Sequence, residues 1–531
     1  MDPLRYEEYS QEINTSFWDR AKIVFALFLF ATIRRVIIIE LNVTQGRKNI
    51  KPEAFKFNIN WKNGCDRMNM SVLSPLDGRY AQKVSALAAV MGADALLRAR
   101  VRAEITWLSV LCALGLPGVK KLSVTEQKIL AGLWDLSAQD VALIRQLETK
   151  GYKDIPATRH DVKAVEYFLR IKLSKTTLKD RLSLIHFALT SEDINSVSYA
   201  VLLSDGMEKV LLCALEKLQK ELLKLAKKEA RSVLLGRTHG QPAVPTTFGK
   251  EIRVFESRLA RQIKMLKAQQ ISCKFSGAVG NFNAHYAAFP SVNWPRVARQ
   301  VIAVLNKGRK LKLFLSPVTT QVDNRDSYAE LFDNLRRVNV ILTDFARDMW
   351  QYISAGLVTQ QTVKGEVGSS TMPQKVNPID FENAEGNLQL SSALLDFLSN
   401  KLPVSRLQRD LSDSTVLRNI PVAFGHALVA YESLLKGLCK IAFNKAAARA
   451  EIHQHPEVLA EAIQTILRAY GCANAYELLR DFTRGRVLTA SALTDFIDGL
   501  DIPAPVKMQL HMLDVETYTG IAHKLAEGNH D

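Results

Sequence analysis

Apolar residues recur along most of this chain at alternating steps of three and four. Leu211, Leu215, Leu218, Leu222 and Leu225 form one series, and Phe248, Ile252, Phe255 and Leu259 a second. The third is Leu331, Leu335, Val338, Leu342, Phe345, Met349 and Tyr352. Such spacing gathers each series on one face of a helix, and a period near 3.5 suits long helices packed nearly parallel or antiparallel. Few segments alternate with period two. The pattern from about Ser71 onward predicts an all-α chain built on a long-helix bundle, possible to share between subunits.

Residues 1–67 differ in character. An apolar run over 23–33 is broken by Arg34 and Arg35 before Val36 to Ile39 resume. A membrane-spanning helix needs about 20 apolar residues without such charges. Asp2, Glu7, Glu8 and Glu12 suit neither a signal peptide nor a transit peptide. The expectation is an N-terminal extension outside the fold, with Met68 or Met70 as an alternative start. The remainder divides into helical domains over 68–180, 181–430 and 431–531, with the longest helices and a polar loop over 364–380 in the middle one.

Polar, Gly- and Pro-bearing breaks separate the helices, and they hold the candidate chemistry. The loop Gly368-Ser369-Ser370-Thr371-Met372-Pro373-Gln374-Lys375-Val376-Asn377-Pro378 offers a serine beside cationic and amide groups. It can carry a base with its anion holders, or it is a polar linker. His239, in Arg-Thr-His-Gly-Gln-Pro at a break before a new helix, either exchanges protons with a ligand or bonds the backbone. Arg159, His160 and Asp161 form a surface trio at a helix start, or Asp161 orients the imidazole, although helical neighbours do not face each other. Thr190-Ser191-Glu192-Asp193 reads as a capped helix N-terminus whose free N–H groups can also hold an anion. Arg79, Arg409 and Arg418, with Ser414 and Thr415, are the residue types that grip carboxylate or phosphate, and also ordinary surface residues.

Composition narrows the partners. The 531 residues are 47% hydrophobic and 23% charged, as in a globular protein with a large core, and the net charge is +16. That favours anionic partners. Lys and Arg are interleaved with acids along helices, which reads as solvated faces or a basic funnel to a site. Neither a membrane nor a nucleic-acid partner is expected, although charge alone would suggest nucleic acid. The six cysteines, Cys65, Cys112, Cys213, Cys273, Cys439 and Cys472, are scattered, which fits a reducing cytoplasm and no zinc site. His453 and His455 lack a third ligand nearby. No phosphate-cradling or dinucleotide glycine motif occurs, so neither a metal nor a cofactor is expected.

Taken together, the loop at 368–378, Arg-Thr-His-Gly-Gln-Pro and Thr-Ser-Glu-Asp-Ile-Asn resemble the fumarase/aspartase superfamily. The finer resemblance is to the adenylosuccinate lyases, particularly the longer bacterial type. It rests on Ser74-Pro75-Leu76-Asp77-Gly78-Arg79-Tyr80, the run from His160 to Phe168, Ser276-Gly277-Ala278-Val279-Gly280-Asn281-Phe282-Asn283-Ala284-His285 and Ser414-Thr415-Val416-Leu417-Arg418. It extends from about Met70 to the C-terminus.

The resemblance implies three mostly helical domains, a central bundle completed by a homotetramer, and active sites shared between subunits. It implies β-elimination of fumarate from a phosphorylated succinyl-purine or succinyl-imidazole. Ser369 would be the base and His239 the acid. Lys375 and Asn377 would bind the succinyl carboxylate, and Thr190, Ser191 and Gln321 the succinyl portion or its surroundings. His160, between Arg159 and Asp161, would contact the phosphate and could assist His239. Arg79, Tyr80, Arg409 and the stretch Ser414, Thr415, Val416, Leu417 and Arg418 would hold the nucleotide, with Asn383 a further contact. Three departures stand out: Gln374 where relatives often carry histidine, a basic insertion over 305–312 expected as a surface loop, and the extension without counterpart.

A chain beginning at Met68 or Met70 is expected to fold and to act like the full chain. Loss of activity or a lowered melting temperature on this truncation would show that the extension belongs to the working protein.

Overall fold

Long stretches without internal proline and with one apolar stripe become rods. In the computed structural model, which describes residues 72–362, 371–372, 374–485 and 488–528, these are Ala93–Ala113, Phe248–Ala268, Asp326–Ser354, Ile379–Lys401 and Ile420–Leu438. A further rod starts at Ser191–Gly206, passes through a π-turn at Met207–Leu211 and continues as Leu212–Lys228. The 1–67 extension and Ser369 lie outside the described residues.

Asp326–Ser354 packs along Ile379–Lys401, which packs on its other side against Ile420–Leu438; Leu212–Lys228 lies along Phe248–Ala268, which also meets Asp326–Ser354. Every residue of the three apolar series is buried except Leu225 and Tyr352, which are half-buried. Phe345 joins three of the rods, edge-on to Phe255 at 5.4 Å and to Phe381 at 6.2 Å. The seams are therefore filled within one chain. What the same helices turn outward is a separate set of exposed apolar side chains: Val254, Met265, Val340, Trp350, Leu390 and Phe397.

Polar groups inside the bundle are paired, as burial demands. Asn339, fully buried, donates to Ser391 Oγ (3.0 Å) and accepts from Tyr431 Oη (2.9 Å), while Ser391 donates to the Ala423 carbonyl (2.9 Å). This network fixes the register of three helices. A second buried cluster joins Ala93–Ala113 to Ala138–Thr149 and Asp161–Leu173 through Val101, Ile105, Ile144, Val165 and Phe168. A third ties C-terminal helices together and includes Leu235.

The chain is mostly helical, as expected, but the described residues also form three two-stranded sheets. Val233–Thr238 and Gln241–Thr247 pair as an antiparallel hairpin. Ile271–Cys273 pairs in parallel with Leu313–Leu315, and Val358–Gln360 pairs antiparallel with Ile441–Phe443.

The segment 305–312 is not a plain surface loop. Arg309 and Leu311 are buried. Arg309 bonds Asp205 and, at 3.2 Å, Ser204 Oγ, and the Lys310 and Leu311 N–H groups donate to Glu208 at 2.8 and 3.2 Å. Asp205 pairs with Arg309 and Glu208 holds the backbone ahead of the parallel strand pair, while Lys307, Lys310 and Lys312 are exposed.

Gly249 permits the close crossing that seats the base of the hairpin. A Cβ there would lie 2.3 Å from the Ala226 carbonyl oxygen and 2.7 Å from Ala230 Cα, both backbone atoms. Gly249→Ala is expected to cost about 1–3 kcal/mol, the range for overpacking. Urea unfolding followed by circular dichroism measures it; an unchanged midpoint would mean that the crossing is not tight.

Candidate active site

The first turn of an α-helix leaves N–H groups that need acceptors. At Ser191–Gly206, Asp193 supplies one, its Oδ2 accepting from the Thr190 N–H at 2.8 Å. The same carboxylate accepts from Lys274 Nζ (2.7 Å), Ser276 N–H (2.8 Å) and Gly277 N–H (3.2 Å). Gly277 has φ +81, which lets successive N–H groups converge on the carboxylate. Asp193 and Lys274 are both fully buried, and Lys274 Nζ also donates to the Gly277 carbonyl. The helix start is thereby fastened to the loop of the Ser-Gly-Ala-Val-Gly motif.

Glu192, next in line, is buried against arginines. Arg325 Nη2 lies 2.7 Å from Glu192 and 3.0 Å from Asp413. Burial opposes the Arg325 charge, but Glu192 and Asp413 outweigh it and raise its pKa. Arg409 lies 3.3 Å from Glu192 and donates to Gln321 Oε1 at 3.1 Å, and Gln321 donates to the Ala278 carbonyl at 3.0 Å. Gln321 and Arg409 are thus gathered at the same helix start as Thr190 and Ser191.

His160 arrives from the neighbouring helix. It caps Asp161–Leu173, its Nδ1 accepting from the Lys163 N–H at 3.3 Å. In the neutral ring that leaves the proton on Nε2, which faces Ser191 Oγ at 3.3 Å. His160 is both a cap and an exposed group at the site. Asp161 does not orient it by a hydrogen bond: their nearest nitrogen and oxygen are 3.8 Å apart. Instead Asp161 Oδ2 accepts from Arg100 (2.7 Å) and Arg418 (3.0 Å), and Oδ1 accepts from the Val162 N–H (2.8 Å). Burial pushes against ionisation, yet Arg100, the Val162 N–H and Arg418 hold this carboxyl below the usual range.

Arg159 is exposed, with φ +48. On Ser412–Leu417, Thr415 is exposed, Ser414 and Val416 are half-buried, and Leu417 is buried; Arg418, at the helix end, is exposed. Leu417 packs into the core rather than toward solvent. Behind the Asp161–Arg418 pair lies a cavity of about 450 Å³, lined among others by Arg100, Tyr199, Leu202 and Leu417.

The remaining candidates stand in three other groups. Tyr80 Oη accepts from Asn383 Nδ2 at 2.8 Å, and Asn383 Oδ1 accepts from Ser433 Oγ at 2.9 Å; Arg79 beside them is exposed. His239 is not at a plain break before a helix. It sits at the tip of the hairpin, where Thr238 pairs with Gln241, and His239 and Gly240 have φ +53 and +75. Two-residue hairpin turns favour this left-handed pair because it matches strand twist. The imidazole is exposed, and Arg237 below it pairs with Glu451. Lys375 is exposed and Asn377 half-buried, and Gln360 Nε2 donates to the Val376 carbonyl at 3.2 Å. Among the described residues, no hydrogen bond or ion pair joins His239 to the His160–Ser191–Arg418 group or to Tyr80–Asn383. No group of His, Cys, Asp and Glu among the described residues could hold a metal ion, and no helix there is long and apolar enough to cross a membrane.

Sequence reading did not single out Arg100, Glu104, His186 or Lys274. The signal available was charge on an apolar helix face: Arg100 and Glu104 are one turn apart and both buried.

The long-helix architecture belongs to a class of lyases. A family described as Lyase matches residues 78–390, and one described as Adenylosuccinate lyase C-terminal matches 405–519. The chain belongs to the adenylosuccinate lyase family. It is 44% identical to the adenylosuccinate lyase of Haemophilus influenzae over 461 residues, 86% of this chain and 98% of that one. Against the adenylosuccinate lyase of Escherichia coli K12 it is 44% identical over 459 residues, 86% and 97% of the two chains. In fold it resembles the 3-carboxy-cis,cis-muconate lactonizing enzyme of Pseudomonas putida, with a TM-score of 0.64 at 21% identity over 84% of this chain and 97% of that one. It likewise resembles a fumarate lyase of Mesorhizobium sp. BNC1, with a TM-score of 0.64 at 17% identity over the same shares.

The loop entering the site carries a pH-sensitive pair. His186, in the left-handed region at φ +60, lies 2.5 Å from Glu104. Burial works against its charge, but the Glu104 hydrogen bond and charge, with Glu166 and Asp193 beyond, raise its pKa above 6.5. A raised folded value means that the pair stabilises fully below the unfolded value and that this is lost as pH rises through the folded one. The melting-temperature difference between wild type and His186→Gln is therefore expected to be largest near pH 6 and to shrink toward about pH 9. A difference that is flat or grows with pH would contradict the pairing.

Proposed function

We propose that this chain cleaves adenylosuccinate to AMP and fumarate, and SAICAR to AICAR and fumarate, by β-elimination in purine nucleotide synthesis. The carrying observation is 44% identity to bacterial adenylosuccinate lyases across nearly their whole length. The match of residues 405–519 to the family's C-terminal model separates this reading from other lyases of the superfamily.

In the proposed reaction Ser369, as its alkoxide, removes the Cβ proton of the succinyl group. The electron pair forms the fumarate double bond as the C–N bond breaks, and His239 protonates the departing nitrogen. Lys375 and Asn377 hold the carboxylate that takes up charge in the carbanion, and Lys375 with loop N–H groups favours the alkoxide. Thr190, Ser191 and Gln321 receive the succinyl portion; the helix N-terminus there supports the role, since its dipole favours an anion. His160, Arg159 and Asp161, with Arg409, Ser414, Thr415, Val416, Leu417 and Arg418, form the nucleotide and phosphate side. For Leu417 only a packing role is compatible with its burial. Arg79, Tyr80 and Asn383 complete it. A net charge of +16 suits a substrate carrying two carboxylates and a phosphate.

The working unit we propose is a homotetramer with sites built from several subunits. Two things support it: among the described residues no hydrogen bond or ion pair joins His239 to the His160–Ser191–Arg418 group or to Tyr80–Asn383, and the outward bundle faces carry exposed Val254, Val340, Trp350, Leu390 and Phe397. The domain limits 68–180, 181–430 and 431–531 belong to the same proposal. So does a cytoplasmic location, with which the free thiols Cys112, Cys213, Cys273, Cys439 and Cys472 are compatible.

Turnover measured in parallel on adenylosuccinate, SAICAR, argininosuccinate and aspartate is expected to release fumarate from the first two only. No fumarate from those two would refute the reading. Ser369→Ala is expected to lower kcat by at least about a thousandfold while substrate still binds; near-normal turnover would remove the serine from the role of base.

A further inference from the structure

We propose that Arg100, which lies outside every motif above, is a positioning residue of the phosphate grip, acting through Asp161. The proposal rests on the reading of Arg418 and His160 as nucleotide-side residues. Arg100 lies within Ala93–Ala113 and is 3% exposed. Its guanidinium is used in two directions. Nη2 donates to Asp161 Oδ2 at 2.7 Å, and Nε donates to Asn195 Oδ1 at 3.0 Å. Asp161 opens the helix that His160 caps, and Asn195 lies one turn inside the helix that Ser191 opens. One planar fork therefore braces the two helix starts across which His160 Nε2 and Ser191 Oγ meet at 3.3 Å.

The same carboxylate oxygen that Arg100 holds also receives Arg418, at 3.0 Å. Arg418 is 55% exposed, so without Asp161 its long side chain would sample many rotamers. Asp161 in turn is anchored by Arg100 and the Val162 N–H. Order thus passes from a buried arginine, through a shared carboxylate, to an arginine at the surface of the cavity. A charge-assisted fork is stiff because the guanidinium is planar. Lysine keeps the buried charge, but its single nitrogen cannot span both Asp161 and Asn195 in that geometry.

The test compares Arg100→Lys, Arg418→Met and the double variant with wild type. Two readouts are used: KM and kcat on adenylosuccinate, and binding of AMP against adenosine by calorimetry. Arg181→Lys is the structural control, since Arg181 is likewise a buried arginine, paired with Glu126 at 2.8 Å and placed in none of the binding groups. Arg100→Lys is expected to raise KM and weaken AMP binding about tenfold, the loss of one charge-assisted hydrogen bond, with kcat changed less than about threefold. Adenosine binding should not change. In the Arg418→Met background Arg100→Lys should have little further effect, because the group it positions is gone. Arg181→Lys should lower the melting temperature and leave AMP binding unchanged.

Unchanged AMP affinity in Arg100→Lys, equal weakening of AMP and adenosine, or full additivity with Arg418→Met would each overturn the proposal. The calorimetric arm does not depend on turnover, so a wild-type protein that releases no fumarate would refute the proposed reaction while AMP binding still decided the role of Arg100.

Discussion

The fully buried Asp193–Lys274 pair is the interaction on which the site depends. Asp193 ends the unsatisfied first turn of the long rod and in the same stroke captures Lys274 and two loop N–H groups. Removing one partner of such a pair leaves an uncompensated buried charge, at about 3–5 kcal/mol. Once that turn is fixed, its neighbours have defined partners: Ser191 meets His160, Glu192 meets Arg325 and Arg409, and Asn195 meets Arg100. Four segments far apart in the chain are organised from a single helix start.

The proposal that sites are shared between subunits concerns groups that this helix start does not hold. Among the described residues no hydrogen bond or ion pair joins the hairpin tip to this helix start or to the Tyr80–Asn383 pair. The apolar seams do not call for partners, because they close internally. Exposed apolar residues lie on Phe248–Ala268, Asp326–Ser354 and Ile379–Lys401, and the proposed association along those faces would bring the end of one chain to the middle of another.

Much of this was legible in the amino-acid order. The three apolar series announced buried helix faces, and Thr190 to Asp193 announced a capped helix start, because both depend on local spacing. The hairpin was not legible. Pro242 and Pro245 lie in its second strand, where proline normally argues against a strand, and only the freedom of a two-stranded edge permits them. In the basic run at 305–312 the lysines are solvated as read, but the burial of Arg309 was not legible because its partner, Asp205, is about a hundred residues away. Arg100 was hidden for the same reason: a charge in an apolar helix declares burial but not the carboxylate it serves. Of the two readings of His160 the helix-start one holds: one ring nitrogen caps the helix while the other faces Ser191, and Asp161, 3.8 Å away, makes no hydrogen bond to the ring.

The central claim is that a working site needs groups from more than one copy of the chain. Mixing inactive Ser369→Ala and His239→Ala proteins under conditions that exchange subunits measures this directly. Shared sites predict that the mixture regains a substantial part of wild-type turnover, because some hybrid sites contain both an intact Ser369 and an intact His239. A mixture that stays as inactive as either parent, with exchange verified by mass spectrometry, would contradict the account.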